Sequence, residues 1–368
     1  MSSPDVAPAL DLTTPEGVAR YTAALLDPTL KKRVADVDML SGGFSNYVWR
    51  VVLAPGADSV QHGEPLPAEG YAAIPPEAAS VILKYFAPQL RMNEDFDLPQ
   101  DRAVHEHNAL EAMTAVRVTA SASSAKIPWA VPTPYHFSTS HYALIMEDVD
   151  APEAMLMLKY FKSPRPRDQL AALADAIIAF THAVPTAGAT KDLNPGMTAL
   201  FDNRLEPSFQ RTIAKCEPLG ADAQKWADRI AAALKHPRAR SGRIFGDLWP
   251  NSIMLDNADA PTRITVLDWE CSRLGHPDQD FTQYLANLVA MRAGARQTPG
   301  IFDAGAVEAM IDLLVAAAKP LDETYDHAAM ALRYVGYLTW FPHFGVKDAA
   351  RGIAEAAQEL DVMFGKGK

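Results

Sequence analysis

Three acidic residues in the C-terminal half have the types and spacing that chemistry at a hydroxyl group or a metal ion would need. Asp247 lies in a Gly-Asp-Leu-Trp-Pro-Asn loop, and Asp268 and Glu270 end an apolar run. If the apolar runs 253–255 and 264–267 pair as a hairpin, all three acids lie at strand ends. Asp247 could then accept a proton from a hydroxyl. In extended geometry, Asp268 and Glu270 would point the same way and offer oxygen ligands to Mg²⁺.

An ordinary structural role also fits each of these acids. Asp247 could cap its loop as a turn residue, and an acidic pair on a solvated strand end needs no metal. The residues alone leave both interpretations open. The presence of all three acids in one short stretch of the chain favours chemistry.

A lysine at the end of an apolar strand is a second candidate for a functional role. Lys84 follows the apolar run 81–83, where an ammonium group could meet phosphates at the mouth of a sheet. Glu106 on the next predicted helix is its expected ionic partner, and Glu111 is the competing candidate. A solvent-facing side chain is the ordinary alternative for any single lysine.

A glycine-rich turn precedes this strand. Gly42 and Gly43, with Ser45 and Asn46, would let backbone N–H groups approach a phosphate chain closely. A hairpin turn without a ligand fits the same residues, because the pattern is not a full GxGxxG. The sequence has no Walker A phosphate loop and no GxSxG with a suitable triad, which argues against those two classes of site.

The elements that must position these groups change in character along the chain. Up to about Met146 the sequence indicates mainly strands, and the runs 34–40 and 47–53 flank the glycine-rich turn. From Asp148 onward the apolar residues recur at helical spacing. Predicted helices cover residues 15–26, 102–114, 167–182, 221–234, 280–291, 306–318 and 325–341.

Length and composition bound the class of protein. The chain has 368 residues, of which 48% are hydrophobic and 21% charged, enough for two lobes with their own cores. A formal charge of -11 argues against nucleic acid or an anionic membrane as a partner. Cys216 and Cys271 are too few for a disulfide framework, and no leader or membrane-spanning segment is predicted. We therefore expect a cytoplasmic protein.

In chain order, these features are a glycine-rich hairpin, a strand lysine, a helix glutamate, a connector, a loop aspartate and a strand-end aspartate. The resembling stretches are LSGGFSNYVWRV (40–51), VILKYFAPQL (81–90), EDFDLPQDRAVHEHNALEAM (94–113), YALIMEDVD (142–150), FGDLWPNSIML (245–255) and VLDWECSRLGHPDQDF (266–281). Together they resemble the aminoglycoside phosphotransferase/choline kinase-like superfamily. Within it, the chain is most similar to methylthioribose kinase and to fungal small-molecule kinases of the 4-hydroxytryptamine kinase type.

The resemblance implies an α+β, two-lobed protein kinase-like fold. A small, antiparallel β-rich N-lobe would span residues 1–146, a hinge 147–150, and a larger, mainly helical C-lobe with the acceptor pocket 151–368. Main-chain groups of Glu147 and Val149 in the hinge would bind adenine.

The resemblance also implies a role for each matching residue of the hairpin 243–270. Asp247 would be the catalytic aspartate, Asp268 a principal Mg²⁺ ligand and Glu270 a second one. Ser252 takes the position where the family supplies a metal-ligating asparagine. In the N-lobe, the residues implied to bind ATP or to support its phosphates are Gly42, Gly43, Ser45, Asn46, Lys84 and Glu106.

The chain departs from the family pattern at two positions. Phe245 stands where the family usually has histidine, two residues before the catalytic aspartate, so we expect an apolar ring to pack this loop. Ser252 replaces the usual asparagine, with Asn251 one place early, which puts the protein's share of metal ligation in doubt. Asp280, in the family's G-x-P-x-x-D position, is expected to brace the loop from inside.

These inferences predict an ATP- and Mg²⁺-dependent phosphotransferase acting on a hydroxyl of a small metabolite, of the hydroxylated indole amine, thio-sugar or amino alcohol type. The alternative is a catalytically silent, nucleotide-binding pseudokinase, motivated by Phe245 and Ser252. A protein kinase fits less well, because no APE-like segment follows Asp268. We expect a monomer or homodimer that binds neither nucleic acid nor membrane.

Aromatic residues of the predicted C-lobe could line the acceptor pocket. The candidates are Trp249, Tyr334, Tyr337, Trp340 and Phe341. Aromatic residues at helical spacing more often belong to a core. If they do line a pocket, a flat or cationic acceptor would suit it.

Overall fold

A computed structural model describes residues 10–40, 45–56, 70–91, 93–120, 126–150, 152–187, 193–339 and 341–365. The chain divides into two compact units, each with its own sheet. The first falls within Met1–Asn108 and Pro132–Asp148, and the second within Ala109–Val131 and Val149–Lys368.

The described strands are β1 (Lys32–Met39), β2 (Tyr47–Pro55), β3 (Ser80–Tyr85), β4 (Gln89–Leu90), β5 (Asn93–Asp97), β6 (Trp129–Ala130), β7 (Pro134–Ser138), β8 (Ala143–Glu147), β9 (Met155–Leu156), β10 (Gly242–Ile244), β11 (Ile253–Leu255), β12 (Ile264–Val266) and β13 (Arg273–Gly275). The described helices are α1 (Pro15–Leu25), α2 (Arg102–Ala120), α3 (Met157–Tyr160), α4 (Arg167–Ala183), α5 (Pro195–Leu200), α6 (Glu206–Ala214), α7 (Asp222–Leu234), α8 (Gln279–Gln297), α9 (Ala304–Ala317), α10 (His327–Leu338) and α11 (Ala349–Phe364).

The first unit is built on an antiparallel sheet with strand order β1-β2-β3-β8-β7. Side chains alternate across a strand, and β2 uses this period to bury Trp49, Val51 and Leu53 on one face. On the same face, Trp49 is opposite Leu83 of β3. Each such side chain contributes roughly 1.5–3 kcal/mol when fully buried. The sheet therefore holds β3, and with it Lys84, in a fixed register.

Helix α1 covers the buried face of this sheet. Thr14 accepts the N–H of Gly17 at 3.2 Å, and Pro15 takes the first helical position, as the sequence predicts. The helix then buries Val18, Tyr21 and Leu25 in the core shared with the sheet.

In the second unit, the predicted hairpin is confirmed. Strands β11 and β12 pair antiparallel, with Ile253 opposite Val266 and Leu255 opposite Ile264. Strand β9 adds to the β11 edge and β6 runs parallel to β12, which completes a four-stranded sheet. Strand β10 instead pairs with β13, a short strand that the sequence did not predict.

Helices make up most of the second unit, and those predicted from apolar spacing are present. Helix α8 runs to Gln297, well beyond the predicted end at Met291. It is buried on all sides from Gln279 to Ala295. The sequence therefore has no alternation of buried and solvent-facing positions from which the end of the helix could be predicted. The apolar spacing did not predict α3, α5, α6 or α11. An antiparallel sheet in one unit and mainly helices in the other confirm the α+β class.

None of the helices within the described ranges combines the length and the apolar character that a bilayer span requires.

Candidate active site

The loop between β10 and β11 carries Asp247 and turns sharply at Gly246. This glycine has φ +89°, and a Cβ there would lie 2.3 Å from Nη1 of Arg273 and 2.4 Å from the carbonyl oxygen of Cys271. Any side chain would therefore be both strained and obstructed. The turn brings the loop close to the segment that follows β12.

The main-chain N–H and carbonyl groups of this loop form hydrogen bonds with side chains and not with a neighbouring strand. The carboxylate of Asp280 accepts the N–H of Phe245 at 2.6 Å and that of Gly246 at 2.8 Å. Nη1 of Arg273 donates to the Gly246 carbonyl at 3.3 Å. Burial raises the pKa of Asp280 to about 6, against the lowering effect of the two amides. These contacts confirm the expected bracing role of Asp280.

Phe245 packs the loop from the apolar side, as expected. Its side chain is fully buried. The ring meets Trp269 edge-to-face at 4.7 Å and Phe180 at 6.2 Å between centroids. Aromatic contacts thus stabilise the loop where the family usually has histidine.

The three acids predicted as a group do lie close together. Burial, and then the charges of Asp268 and Glu270, raise the pKa of Asp247 to about 7, against the lowering effect of Arg273. Nε2 of Gln283 donates to Oδ1 of Asp247 at 3.3 Å. Asp247 is therefore a half-buried carboxyl group within the field of two other carboxylates.

The predicted extended geometry of residues 268–270 is wrong. Asp268 is in the left-handed region, with φ +69° and ψ 64°, and Trp269–Cys271 forms a 3-10 turn. Aspartate tolerates this conformation better than most residues. The turn also places the Glu270 carbonyl where Nδ2 of Asn194 donates to it at 2.7 Å. The acids reach one region through this tight turn and not through strand alternation.

Ser252 binds back into the loop that carries Asp247. Its hydroxyl donates to the Trp249 carbonyl at 2.8 Å and accepts the Trp249 N–H at 3.2 Å, and the Asp247 carbonyl lies 3.4 Å away. The side chain is 3% exposed. These bonds close the turn Pro250–Ser252. The metal-ligand role of Ser252 stays a prediction.

In the first unit, Lys84 and Glu106 form a buried ion pair. Nζ lies 2.7 Å from Oε2, and the two side chains are 4% and 1% exposed. Glu111, the competing candidate, is an exposed residue. The structure therefore selects Glu106 as the partner of the strand lysine.

The end of the glycine-rich turn is attached to the start of α2. Oδ1 of Asn46 accepts from Nη2 of Arg102 at 2.8 Å, and Nδ2 of Asn46 donates to the Ser45 hydroxyl at 3.1 Å. Both Asn46 and Arg102 are buried. Gly42 and Gly43 lie outside the described residues.

Hydrogen bonds hold the two acidic residues at the start of the predicted hinge, Glu147 and Asp148. The main-chain N–H of Glu147 donates to the Thr133 carbonyl at 2.9 Å, and its carboxylate accepts from the Thr133 N–H and hydroxyl at 3.1 and 3.0 Å. Asp148 accepts from Arg50 and Ser80, each at 2.7 Å. Val149, which begins the second of the two segments that form the second unit, is half-buried. Adenine contacts at Glu147 and Val149 stay predictions.

A cavity of about 300 Å³ in the second unit has an aromatic wall. It is lined by Ser208, Phe209, Thr212, Gly336, Tyr337 and Phe341. The Tyr337 ring lies 4.6 Å from that of Phe209 and 4.7 Å from that of Phe341. Burial raises the pKa of Tyr337 to about 12, with further contributions from Asp247 and Cys271. Tyr337 in this wall is therefore close enough to Asp247 for the charge of Asp247 to affect the pKa of the phenol.

The aromatic candidates from the sequence divide into two sets. Trp249 lies 5.4 Å from the His343 ring, which in turn lies 5.4 Å from Phe341, so both join the wall. Tyr334 is a core residue, 2% exposed, whose hydroxyl accepts from Gln279 at 2.8 Å. Trp340 lies outside the described residues. Phe209 and His343 are new, and no local pattern pointed to them.

Comparison with known sequences gives one family match and two close curated relatives. The profile of the phosphotransferase enzyme family (APH) matches residues 37–317. The chain is 26% identical over 286 residues to 4-hydroxytryptamine kinase of Psilocybe cyanescens, covering 75% of this chain and 73% of that protein. It is 24% identical over 289 residues to 4-hydroxytryptamine kinase of Psilocybe cubensis, covering 76% and 74%.

Among solved structures, the chain is similar to an amicoumacin kinase in complex with AMP-PNP and Ca²⁺. The TM-score is 0.49 at 12% sequence identity, and the alignment covers 94% of this chain and 93% of that one.

Proposed function

Because the chain belongs to the phosphotransferase enzyme family and is a small-molecule kinase, we propose that it transfers the γ-phosphate of ATP, with Mg²⁺, to a hydroxyl group of an aromatic amine. The family match agrees with the resemblance found in the motifs. One observation carries the proposal: Asp247 sits on a rigid loop within the field of Asp268 and Glu270.

Asp247 would orient the acceptor hydroxyl and take its proton. A carboxylate within hydrogen-bond reach of the hydroxyl can act as its general base. The loop around it is held by Asp280 and Arg273, so the carboxylate is positioned before the acceptor arrives. Phosphoryl transfer depends mainly on such positioning and on charge neutralisation.

Asp268 and Glu270 would hold Mg²⁺, with Ser252 as a further candidate. Carboxylate oxygens are the ligands this cation prefers, and the mutual repulsion that raises the pKa of Asp247 is what a cation would relieve. When bound, Mg²⁺ would neutralise charge on the β- and γ-phosphates. The donor set therefore fits the metal that the family implies.

The first unit would bind the nucleotide. Lys84, oriented by Glu106, would contact the α- and β-phosphates. Main-chain groups of Glu147 and Val149 would bind adenine. The turn residues proposed to follow the phosphate chain are Gly42, Gly43, Ser45 and Asn46.

The aromatic wall supports an acceptor that is flat and positively charged. Tyr337, Phe209 and Phe341 present ring faces and edges in the 300 Å³ cavity, and ring faces attract ammonium groups. The Tyr337 phenol is close enough to Asp247 for the carboxylate to affect its pKa. Both curated relatives are 4-hydroxytryptamine kinases, which supports a hydroxylated indole amine as the acceptor.

A silent nucleotide-binding protein is the second candidate, and the bonding of Ser252 favours it. The serine hydroxyl already bonds to Trp249 at two points, so the site has fewer groups ready for metal than the family pattern.

A panel of acceptors tests both candidates. Purified protein receives ATP, Mg²⁺ and one of 4-hydroxytryptamine, choline, 1-amino-2-propanol or methylthioribose, and ADP release is measured. We expect turnover with 4-hydroxytryptamine. In the Asp247→Asn variant, turnover should fall by about 10² to 10⁴-fold while the thermal shift with ATP persists. Unchanged turnover in this variant would refute the role of Asp247. An ATP-induced shift without ADP release on any acceptor would favour the silent protein.

A further inference from the structure

Helix α8 presents three polar side chains to the catalytic loop. Asp280, Gln283 and Asn287 are 1%, 6% and 0% exposed. Their i, i+3, i+7 spacing places them on one face of the helix. In a helix that is buried on all sides, such a stripe needs polar partners. The loop main chain supplies those partners.

Each member of the stripe binds a different part of the loop. The carboxylate of Asp280 accepts the main-chain N–H groups of Phe245 and Gly246. Nδ2 of Asn287 donates to the carbonyl of Gln283 at 2.8 Å and lies 3.4 Å from the carbonyl of Leu248. Gln283 lies between them and is the member that touches the Asp247 side chain.

The amide of Gln283 makes two contacts at once. Its Oε1 accepts the N–H of Leu248 at 3.2 Å, and its Nε2 donates to Oδ1 of Asp247 at 3.3 Å. Because the amide is planar, fixing the oxygen on the Leu248 main chain also fixes the direction of the nitrogen. The orientation of the Asp247 carboxylate is thereby tied to the main chain of the next residue.

We propose that Gln283 is a positioning residue for phosphoryl transfer, which holds the Asp247 carboxylate in one orientation through Oδ1 and leaves Oδ2 for the acceptor hydroxyl. This role rests on the proposed function, because it requires Asp247 to be the group that orients the acceptor. A misplacement of such a group by about 1 Å can cost on the order of a hundredfold in rate.

Two substitutions at this position separate its contacts. Gln283→Met keeps the shape and removes both bonds. Gln283→Glu keeps an oxygen for the Leu248 amide and replaces the donor facing Asp247 by an acceptor. Gln279→Met is the matched control: Gln279 is on the same helix, buried, and donates to the Tyr334 hydroxyl at 2.8 Å.

The assay uses the full chain with ATP, Mg²⁺ and 4-hydroxytryptamine, and slow ATP hydrolysis provides a readout that needs no acceptor. We expect Gln283→Met and Gln283→Glu to lower kcat by about tenfold to a hundredfold, with the KM for ATP within about twofold of wild type. Thermal unfolding should shift by a similar amount in Gln283→Met and Gln279→Met. The control should nevertheless keep its kcat within about twofold.

Two outcomes would overturn the inference. If Gln283→Met has wild-type kcat, the bond to Asp247 is irrelevant. If Gln283→Met and Gln279→Met lose kcat equally, the role of Gln283 is structural. Asp247→Asn run in parallel distinguishes this inference from the proposed function. An active Asp247→Asn protein refutes the proposed function, and so does a wild-type protein without turnover in either assay. If Asp247→Asn is inactive while Gln283→Met is fully active, only this inference is refuted.

Discussion

The ammonium group of Lys84 and the carboxylate of Glu106 meet at 2.7 Å with both side chains almost fully buried. Taking two charges out of water is costly, and their attraction offsets that cost only while both partners are present. Such a pair contributes little net stability compared with apolar residues of the same size. It is better explained as a means of keeping a charged lysine ready at the end of β3.

Single substitutions in this pair should therefore destabilise the protein strongly. Glu106→Leu removes the carboxylate beside a buried ammonium group, and we expect the free energy of unfolding in urea to fall by about 3–5 kcal/mol. The double variant Lys84→Met, Glu106→Leu should recover most of that loss, yet bind ATP poorly in a thermal-shift titration. A double variant as unstable as the single one would show that the pair is needed for folding itself.

Gly246 should tolerate no side chain. Gly246→Ala combines a left-handed backbone with a Cβ that would lie 2.3 Å from Arg273, so we expect loss of activity and a clear drop in Tm. Gly300→Ala is the control, because Gly300 has φ +87° with no atom within 4 Å of the added Cβ. That variant should show the conformational strain alone, about 1–2 kcal/mol. Equal destabilisation of the two proteins would argue against the obstruction.

Mg²⁺ binding should release a proton from Asp247. In the metal-free protein, burial and then Asp268 and Glu270 raise its pKa to about 7, so the group is largely protonated at pH 6. A cation among these carboxylates would lower that pKa, so Mg²⁺ affinity should rise between pH 6 and pH 8. Calorimetric titration at pH 6.5, in two buffers of different ionisation enthalpy, measures the proton release. Asp247→Asn should show none.

His276 should make the protein less stable in mild acid. Burial lowers its pKa from 6.5 to about 4, against the raising effect of Asp278 and of Asp322, whose Oδ2 lies 3.4 Å from Nε2. The unfolded state therefore binds a proton at higher pH than the folded state does. The contribution of His276 to stability is full above pH 6.5 and declines as pH falls toward 4.

Comparison with His276→Gln isolates this effect. Burial lowers the pKa of His343 as well, so it contributes in the same direction in both proteins. Asp322 has a lowered pKa and acts mainly below pH 4. The Tm advantage of wild type over the variant should shrink between pH 6.5 and pH 4. An unchanged difference across that range would contradict the assignment.

The sequence revealed those parts of the site that depend on neighbours in the chain. The pairing of β11 with β12 follows from two short apolar runs around a turn, and the choice of Phe245 as a packing residue follows from its type. Lys84 at the end of an apolar strand was also visible, and the ion pair with Glu106 confirms the expected partner over the competing Glu111.

The remaining parts depend on contacts between distant segments. Gln283 looked like one more polar residue in a helix, and only packing of α8 against the loop gives it a partner. The left-handed conformation of Asp268 has no signal in its neighbours. Phe209 and His343 join the aromatic wall from elements that the apolar pattern did not reveal, because those elements are short or irregular.

Side chains occupy most of the main-chain donors in the loop that carries Asp247. The main-chain N–H groups of Phe245, Gly246, Leu248 and Trp249 are all donated to side chains. An anion nest requires successive main-chain amides that point at the ligand, and the amides of this loop instead donate to side chains. The negative charge of a phosphate in transfer must then be met by cations and by side chains from elsewhere. The loop contributes a fixed position to the reaction and very little positive potential.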